Sequence, residues 1–366
     1  MNLELLIGHF GDSGASAIIG LVIGLSFGAL AQRSRFCMRA AVIECARGTV
    51  GPKAAVWLLA FGAAIAGTQG LIAAGTLDVT EARQLAAAGS LSGAIIGGIL
   101  FGAGMVLARG CAARILVLSA TGNLRALVTG LILTIVAQAS LRGGLSPARD
   151  WLAGLWTVEG GASRDLISAI GLGTGAPLVI GAGLVLAALM LAMRHKVGHW
   201  TIAGALGVGL TIAAGWLLTY ALASQSFNPA AIRSISFIGP SADTLMGFIN
   251  TPTLPLVFDL GLIPGVFAGS FLAALFGREV KLQCFNLETN PMPRYVIGAV
   301  LMGFGGMLAG GCAVGAAVTG GAVFSLTAWA ALLAMWAGAG LTDYLIDRRR
   351  NEASEAVATI PAGAAE

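Results

Sequence analysis

Charged side chains are scarce in this sequence of 366 residues: Asp, Glu, Lys and Arg make up 10% of the chain, while hydrophobic residues make up 57%. Soluble domains carry roughly 25% charged residues. The scarcity excludes an ordinary water-soluble domain, and we expect a lipid bilayer as the surroundings. The basic residues form no stripe along one face, so we expect no nucleic acid as a partner.

Motifs for metals and cofactors are also missing. None of the five cysteines has the spacing of a zinc site or of a C-x-x-C pair, and no Walker-type lysine occurs. We therefore expect free thiols, no metal and no cofactor. The first fourteen residues contain no Lys or Arg, unlike a signal peptide, so we expect the first apolar segment to remain in the protein.

Long apolar segments dominate what is present. Nine are long enough, or nearly so, to cross a hydrocarbon layer of ~30 Å, for which a helix needs about 20 residues. They lie near residues 15–31, 54–75, 91–108, 123–141, 177–193, 200–223, 264–277, 296–309 and 323–346. The pattern predicts an all-α, polytopic membrane protein with about nine transmembrane helices. Segments 264–277 and 296–309 are short, which predicts tilted or broken helices that stop partway.

The domain organisation is expected to be simple. Residues 1–350 are predicted to form one transmembrane transport domain, with a first half of about 15–193 and a second half of about 200–346. The remaining residues, 351–366, are rich in Ala and Glu and predict a disordered cytoplasmic tail.

The basic residues predict the orientation of the chain. If successive connections alternate between two sides, 16 of the 21 Lys and Arg residues lie on one side. The positive-inside tendency makes that side cytoplasmic, so in a cell inner membrane the N-terminus lies outside and the C-terminus inside. Two longer connections, about 142–176 and 224–263, are then external loops with short helices at the interface.

One stretch of sequence occurs twice. Residues 97–112 align without gaps on residues 298–313, with nine of sixteen positions identical, and both copies end in Leu-Ala-x-Gly-Cys-Ala. The first copy is expected to run from outside to inside and the second from inside to outside. The pattern therefore predicts an inverted two-fold repeat with a substrate site near the membrane midplane, where the halves meet.

About ten small or apolar residues follow each copy, at 112–121 and 313–322. Such a segment is too short to cross a bilayer and too apolar for a solvated loop. It predicts a short membrane-embedded half-helix, which protein or a water-filled path must cover.

Two glycine–cysteine pairs precede these half-helices. We expect Gly110 and Gly311 to let the chain break, which puts Cys111 and Cys312 near half-helix N-termini, whose free N–H groups favour an anion. A thiol is a soft, polarizable weak donor and suits a sulfur-containing anion. The alternative is that each cysteine is only a small buried hydrophobe.

Cys37 follows Arg-Phe at the predicted cytoplasmic end of the first span and has three arginines beside it. That placement suits the mouth of a pathway, or else a loop cysteine in a topology-setting basic cluster. Together with Gly110-Cys111 and Gly311-Cys312, it resembles the YeeE/YedE membrane family, whose studied members import thiosulfate. The resemblance implies that Cys37, Cys111 and Cys312 pass thiosulfate along by S–H···S contacts. It also implies a cytosolic sulfur-carrier protein as partner.

Three further residues are weaker candidates. Cys284 is a possible counterpart of Cys37 in the second half, although an ordinary loop cysteine is favoured. Arg109 and Arg114 would supply charge beside Cys111, or else are ordinary cytoplasmic-side arginines.

The residues leave three functions open. The first is an importer of thiosulfate or a related sulfur-containing anion, and the second is a transporter of a selenium or other sulfur species. The third is a membrane sulfurtransferase or thiol oxidoreductase with covalent cysteine chemistry. All three histidines lie outside the motifs, so no general base is near the cysteines, which counts against an enzyme.

Overall fold

The structure is a computed structural model that describes residues 3–171, 173, 175–226, 231–250, 256–283 and 292–348. These residues are mainly helical, with one small ribbon formed by β1 (Gly89–Ser90) and β2 (Thr157–Val158). Nine helices within the described ranges are long and apolar enough to cross a membrane. The prediction of an all-α protein with about nine spans is confirmed.

The spans and the shorter elements alternate along the chain. The long helices are α1 (Glu4–Ser34), α3 (Pro52–Ala73), α5 (Leu91–Leu107), α7 (Leu124–Arg142), α10 (Ala176–Arg194), α11 (His199–Ala223), α13 (Phe258–Phe276), α14 (Met292–Leu308) and α16 (Leu326–Thr342). The short helices are α2 (Met38–Ala46), α4 (Arg83–Ala86), α6 (Ala112–Ala120), α8 (Ser146–Gly154), α9 (Leu166–Ile170), α12 (Ile238–Asn250) and α15 (Gly320–Ala322). A 3-10 turn (Gly161–Ser163) and two π-helical segments (Ala313–Thr319 and Asp343–Arg348) complete the described elements.

One of the two short spans is longer than predicted. The segment expected at 264–277 is α13, which begins at Phe258 and has 19 residues, so the expectation of a partial crossing was wrong there. Two residues interrupt the apolar pattern at its start, so the sequence alone predicts a shorter helix. Asp259 is polar but suits the first turn, where free N–H groups favour an acid. Pro264 lies inside the helix, where it removes one hydrogen bond without ending it.

Glycines bring the helices of the bundle into backbone contact. Helices α5 and α14 run antiparallel, because a Cβ on Gly97 would lie 2.5 Å from the carbonyl oxygen of Gly305, and one on Gly104 would lie 2.6 Å from that of Gly298. In lipid, such close van der Waals packing replaces the hydrophobic effect as the force that holds helices together. The two copies of the repeated sequence therefore lie directly against each other, in opposite directions.

The elements recur in the same order around these copies. Helices α5 and α14 both have 17 residues, and each is followed by a break and a short helix, which begin at Ala112 and Ala313. A longer span follows each short helix. The inverted two-fold repeat of the whole chain stays a prediction, and so does the division into two halves. The predicted tail at 351–366 lies outside the described residues.

Ion pairs gather at the end of the bundle where α1 ends and α3 begins, which we call the Arg47 face. Arg47 donates two hydrogen bonds to Asp343, at 2.8 and 2.9 Å, and these bonds raise the pKa of the Arg47 guanidinium. Arg294 Nη2 lies 2.7 Å from a carboxylate oxygen of Asp347. These contacts tie the ends of α2, α14 and α16 together.

The opposite end, which we call the Arg83 face, holds the connections between α3 and α5 and between α7 and α10. Arg164 is buried there and donates to the carbonyl of Ala87 and to the hydroxyl of Thr327, both at 2.6 Å. Burial lowers the pKa of this guanidinium. Arg164 thus links two connections to the start of α16.

Candidate functional site

Four short helices begin with their N-termini inside the bundle. Three of them, α2, α6 and the helix that starts at Ala313, follow directly after Cys37, Cys111 and Cys312, which occupy their N-cap positions. The fourth is α12. Cys111 and Cys312 are both 0% exposed, so neither thiol faces the acyl chains.

Only two of these helices are evident from the sequence. The segment of α2 carries Arg39 and lies in a connection between two predicted spans, and α12 lies in a connection expected to be external with interfacial helices. The start of α12 does carry a signal. Pro240 lies in its first turn, a position that proline favours because the missing N–H has no partner there. Ile238, at its first position, is fully buried.

Both chain breaks contain a left-handed residue. Gly110 and Gly311 lie within the breaks, but the left-handed residue is the one before each glycine, Arg109 with φ of 56° and Gly310 with φ of 81°. Gly311 also allows a close approach of the backbone. A Cβ on Gly311 would lie 2.8 Å from the backbone nitrogen of Ala316 in the short helix that follows.

Cys312 lies between two helix N-termini. Its sulfur accepts a hydrogen bond from the backbone N–H of Gly315 at 3.3 Å. The backbone N–H groups of Phe237 and Ile238, at the start of α12, also interact with this sulfur. Because helix N-termini carry a partial positive charge, both helices favour negative charge at this point.

A second thiol site lies nearer the Arg47 face. The side chains of Cys37 and Cys111 lie beside each other, and Cys111 is the N-cap residue of α6, whose first turn contains Arg114. The Arg114 guanidinium donates to the amide oxygen of Gln32 at 3.4 Å. Of the weaker candidates, Arg114 is therefore beside the thiols, and Arg109 is exposed. Cys284 lies outside the described residues.

Two buried aromatic side chains lie near the thiol sites. Phe237, whose N–H interacts with Cys312, also shares the lining of a cavity of about 210 Å³ with Ala112, the neighbour of Cys111. Phe27 of α1 contacts Phe237, with ring centroids 5.2 Å apart, and both rings are fully buried. The sequence alone did not predict that these two rings are in contact, because the residues come from segments that are far apart in the chain.

Two cavities at the Arg83 face lead towards Cys312. Their volumes are about 330 and 360 Å³, and both are bordered by Arg83, Gln84 and Gly310. The guanidinium of Arg83 forms no ion pair with any residue in the described ranges. The first cavity is also lined by Arg149, Arg233, Asp243, Asp259 and Gly311. An anion at this face would meet a free cation and then the Gly310–Cys312 break.

Known proteins resemble the chain over most of its length. The thiosulfate transporter TsuA of Spirochaeta thermophila is 29% identical over 347 residues, which cover 90% of this chain and 99% of the relative. TsuA of Escherichia coli is 25% identical over 346 residues, or 89% and 94% of the two chains. The probable transporter YedE of Escherichia coli is 40% identical over 85 residues, which cover 22% of this chain and 21% of the relative.

The matched region contains the whole candidate site. The family described as sulphur transport matches residues 33–341, a range that includes Cys37, Cys111, Cys312 and the cavities at the Arg83 face. The resemblance drawn from the cysteine motifs is confirmed. This multi-pass membrane protein belongs to the sulphur transport family.

Proposed function

We propose that the protein imports thiosulfate or a related sulfur-containing anion along a route from the Arg83 face to the Arg47 face. The observation that carries the proposal is the pair of buried thiol sites at helix N-termini, one at Cys312 and one at Cys37 and Cys111. Two relatives that cover most of the chain are named thiosulfate transporters, which supports the choice of substrate.

The route has to replace the water around the anion. A charge at the centre of a bilayer costs at least ~2.5 kcal/mol, even on lenient scales. Backbone N–H groups at helix N-termini provide donors that need no reorganisation and are fixed by the fold. A neutral thiol adds a weak, polarizable donor that suits the terminal sulfur of thiosulfate.

The anion meets these groups in sequence. Arg83 draws it into the cavities, and the N–H groups around Cys312 receive it beside Gly311. Movement past Phe237 then brings it to Cys111 and Cys37. In this proposal the buried rings of Phe27 and Phe237 lie along the route, and the anion passes when they move aside.

The charge distribution supports an orientation of the chain in the membrane. If successive connections alternate between the two sides, 16 of the 21 basic residues are assigned to the side of Arg47, which favours that side as cytoplasmic in an inner membrane. The N-terminus is then outside and the C-terminus inside. The protein acts as a transporter rather than an enzyme and hands its cargo to a cytosolic sulfur-carrier protein.

One observation favours an alternative with covalent chemistry. The thiols of Cys37 and Cys111 are neighbours, as a disulfide or a persulfide relay requires. Mass spectrometry of protein trapped with an alkylating reagent during uptake distinguishes the two. A persulfide or mixed disulfide on Cys111 or Cys312 supports the covalent alternative, whereas unmodified thiols support passage without bond formation.

Removing a pathway thiol tests the proposed function. We expect Cys111→Ala and Cys312→Ala to abolish thiosulfate-dependent growth of a host that lacks its own importer. Cys45→Ala is the matched control, because Cys45 lies at the end of α2, away from the helix N-termini, and should support normal growth. Growth on sulfate or selenite identifies the cargo. Normal growth of both pathway variants at equal expression would remove the assignment.

A further inference from the structure

A buried ion pair lies in the wall of the 330 Å³ cavity. The Arg233 guanidinium contacts the carboxylate of Asp259 at 2.5 Å, and Asp259, the second residue of α13, is only 7% exposed. Arg233 precedes α12, and its side chain is 41% exposed. The arginine can therefore meet an anion in the cavity, while the carboxylate behind it is shielded from water.

The Asp259 carboxylate depends on Arg233 for a positive charge within ion-pair distance. The other charged groups that face it are Asp243 of α12 and Arg83, neither within ion-pair distance of its carboxylate. Helix α1 packs on this end of α13 through the backbone of Ala17 and the glycine at position 20, which bring no charge. Asp243 has its own partner, Arg142, at 3.8 Å.

An anion that binds in this cavity competes with Asp259 for the same guanidinium. If a dianion binds to Arg233 in place of Asp259, the Asp259 carboxylate is left buried and unpaired. It then also lies close to the two negative charges of the dianion. Burial and like charge both disfavour the ionised form of a carboxyl group. The least costly response is that Asp259 takes up a proton.

We propose that anion binding in this cavity is coupled to protonation of Asp259, so that the protein takes up a proton together with each anion that it loads. The inference rests on the proposed function. The proton comes from water at the Arg83 face and binds to a carboxylate oxygen of Asp259, and no bond to sulfur forms or breaks. The coupling lowers the net charge of the loaded site, which matters because an inside-negative membrane potential opposes the inward movement of a dianion.

Proton uptake on binding is the direct test. Thiosulfate is added to the purified full-length protein in weakly buffered detergent solution with a pH indicator, and its affinity is measured by calorimetry between pH 5.5 and 8. We expect close to one proton taken up per anion bound and a Kd that rises up to tenfold for each pH unit, the limit set by linkage. Binding of thiosulfate without proton uptake by the wild-type protein would overturn the inference.

Variants assign the proton to one carboxyl group. Asp259→Asn keeps a hydrogen-bonding side chain but does not titrate, so its thiosulfate binding should be independent of pH and, at pH 8, tighter than in the wild type. Asp78→Asn is the control, because Asp78 is an exposed acid at the same face and bonds only to Thr80 in the described structure, and it should behave like the wild type. Persistent proton uptake in Asp259→Asn, or its loss in Asp243→Asn alone, contradicts the assignment.

The two proposals fail in different ways. If thiosulfate does not bind to the wild-type protein at any pH, the proposed substrate is wrong. If thiosulfate binds and is transported with no change in bound protons, the proposed substrate is correct and only the proposed protonation of Asp259 is wrong.

Discussion

Cys111 and Cys312 share the same flanking sequence and yet have different neighbours. Cys312 interacts with the N–H groups of a second helix, α12, whereas Cys111 interacts with a second thiol, that of Cys37. The site nearer the Arg83 face therefore presents backbone donors, and the site nearer the Arg47 face presents paired sulfurs. An anion that passes from one to the other exchanges N–H donors for S–H donors.

The glycine before each cysteine provides a residue-scale prediction. In Gly311→Ala the new methyl group would meet the backbone nitrogen of Ala316, which cannot move without shifting the helix behind Cys312. Loss of one N–H bond to an anion, worth ~1.5–3 kcal/mol, corresponds to at least about a tenfold loss of affinity. We expect thiosulfate uptake at low concentration to fall by about that factor.

The equivalent change in the other copy is the control. In Gly110→Ala the nearest atom is Cγ1 of Ile115, at 3.2 Å, which can rotate away. Uptake by Gly110→Ala should stay close to that of the wild type at equal expression. Equal losses in both variants would show that the contact with Ala316 does not position the Cys312 site.

Local signals revealed some of these residues and could not reveal others. The Gly-Cys pairs were predicted because the sequence around them repeats. Phe237 and Asp259 were missed because their positions depend on contacts between segments that are far apart in the chain. Glycine is the usual left-handed residue after the end of a helix, and Gly110 lies next to Arg109. The sequence therefore did not indicate that Arg109 has the left-handed conformation.

At the scale of helices, the contact between α5 and α14 fixes the positions of the two chain breaks that contain Cys111 and Cys312 relative to each other. Gly97 is the position where the contact is closest, and Gly97→Ala would place a methyl group 2.5 Å from backbone atoms of α14. Overpacking of this kind typically costs about 1–3 kcal/mol. We expect a lower midpoint of thermal unfolding in detergent, measured by the fluorescence of a thiol- or tryptophan-based probe.

Helix α10 offers the matched control. Gly183 is exposed on that helix, and a Cβ there would meet no atom within 4 Å. Gly183→Ala should therefore leave the unfolding midpoint unchanged, or raise it slightly because alanine favours helix. If Gly97→Ala unfolds at the wild-type temperature, the two helices are not held by this contact.

The sequence predicts some of these helices more clearly than others. The nine spans found in the described residues contain long apolar runs, which predict that they exist although not always where they begin. The half-helices after Cys111 and Cys312 were predicted because they are too apolar for loops. Helices α2 and α12 were missed because each mixes polar and apolar residues, as interfacial segments also do, and only their buried N-termini distinguish them. Burial of that kind is a property of the assembled bundle.

Over the whole molecule, charge differs between the two faces. The Arg83 face has few basic residues but holds them in or beside cavities, as with Arg83, Arg164 and Arg233. The Arg47 face has many, and several are neutralised by acidic residues, as in the pairs Arg47–Asp343 and Arg294–Asp347. Sparse cations in cavities attract an anion, whereas numerous cations on connections fix the orientation in the membrane.

Labelling of exposed positions in intact cells tests that orientation. Asp78→Cys lies at the Arg83 face and Thr49→Cys at the Arg47 face, and both residues are exposed. In a Cys45→Ala background, where the partly buried Cys45 cannot react, we expect a membrane-impermeant maleimide to label Asp78→Cys in whole cells and Thr49→Cys only after the membrane is permeabilised. The reverse pattern would place the Arg47 face outside, so that an imported anion would reach the thiol pair before Cys312.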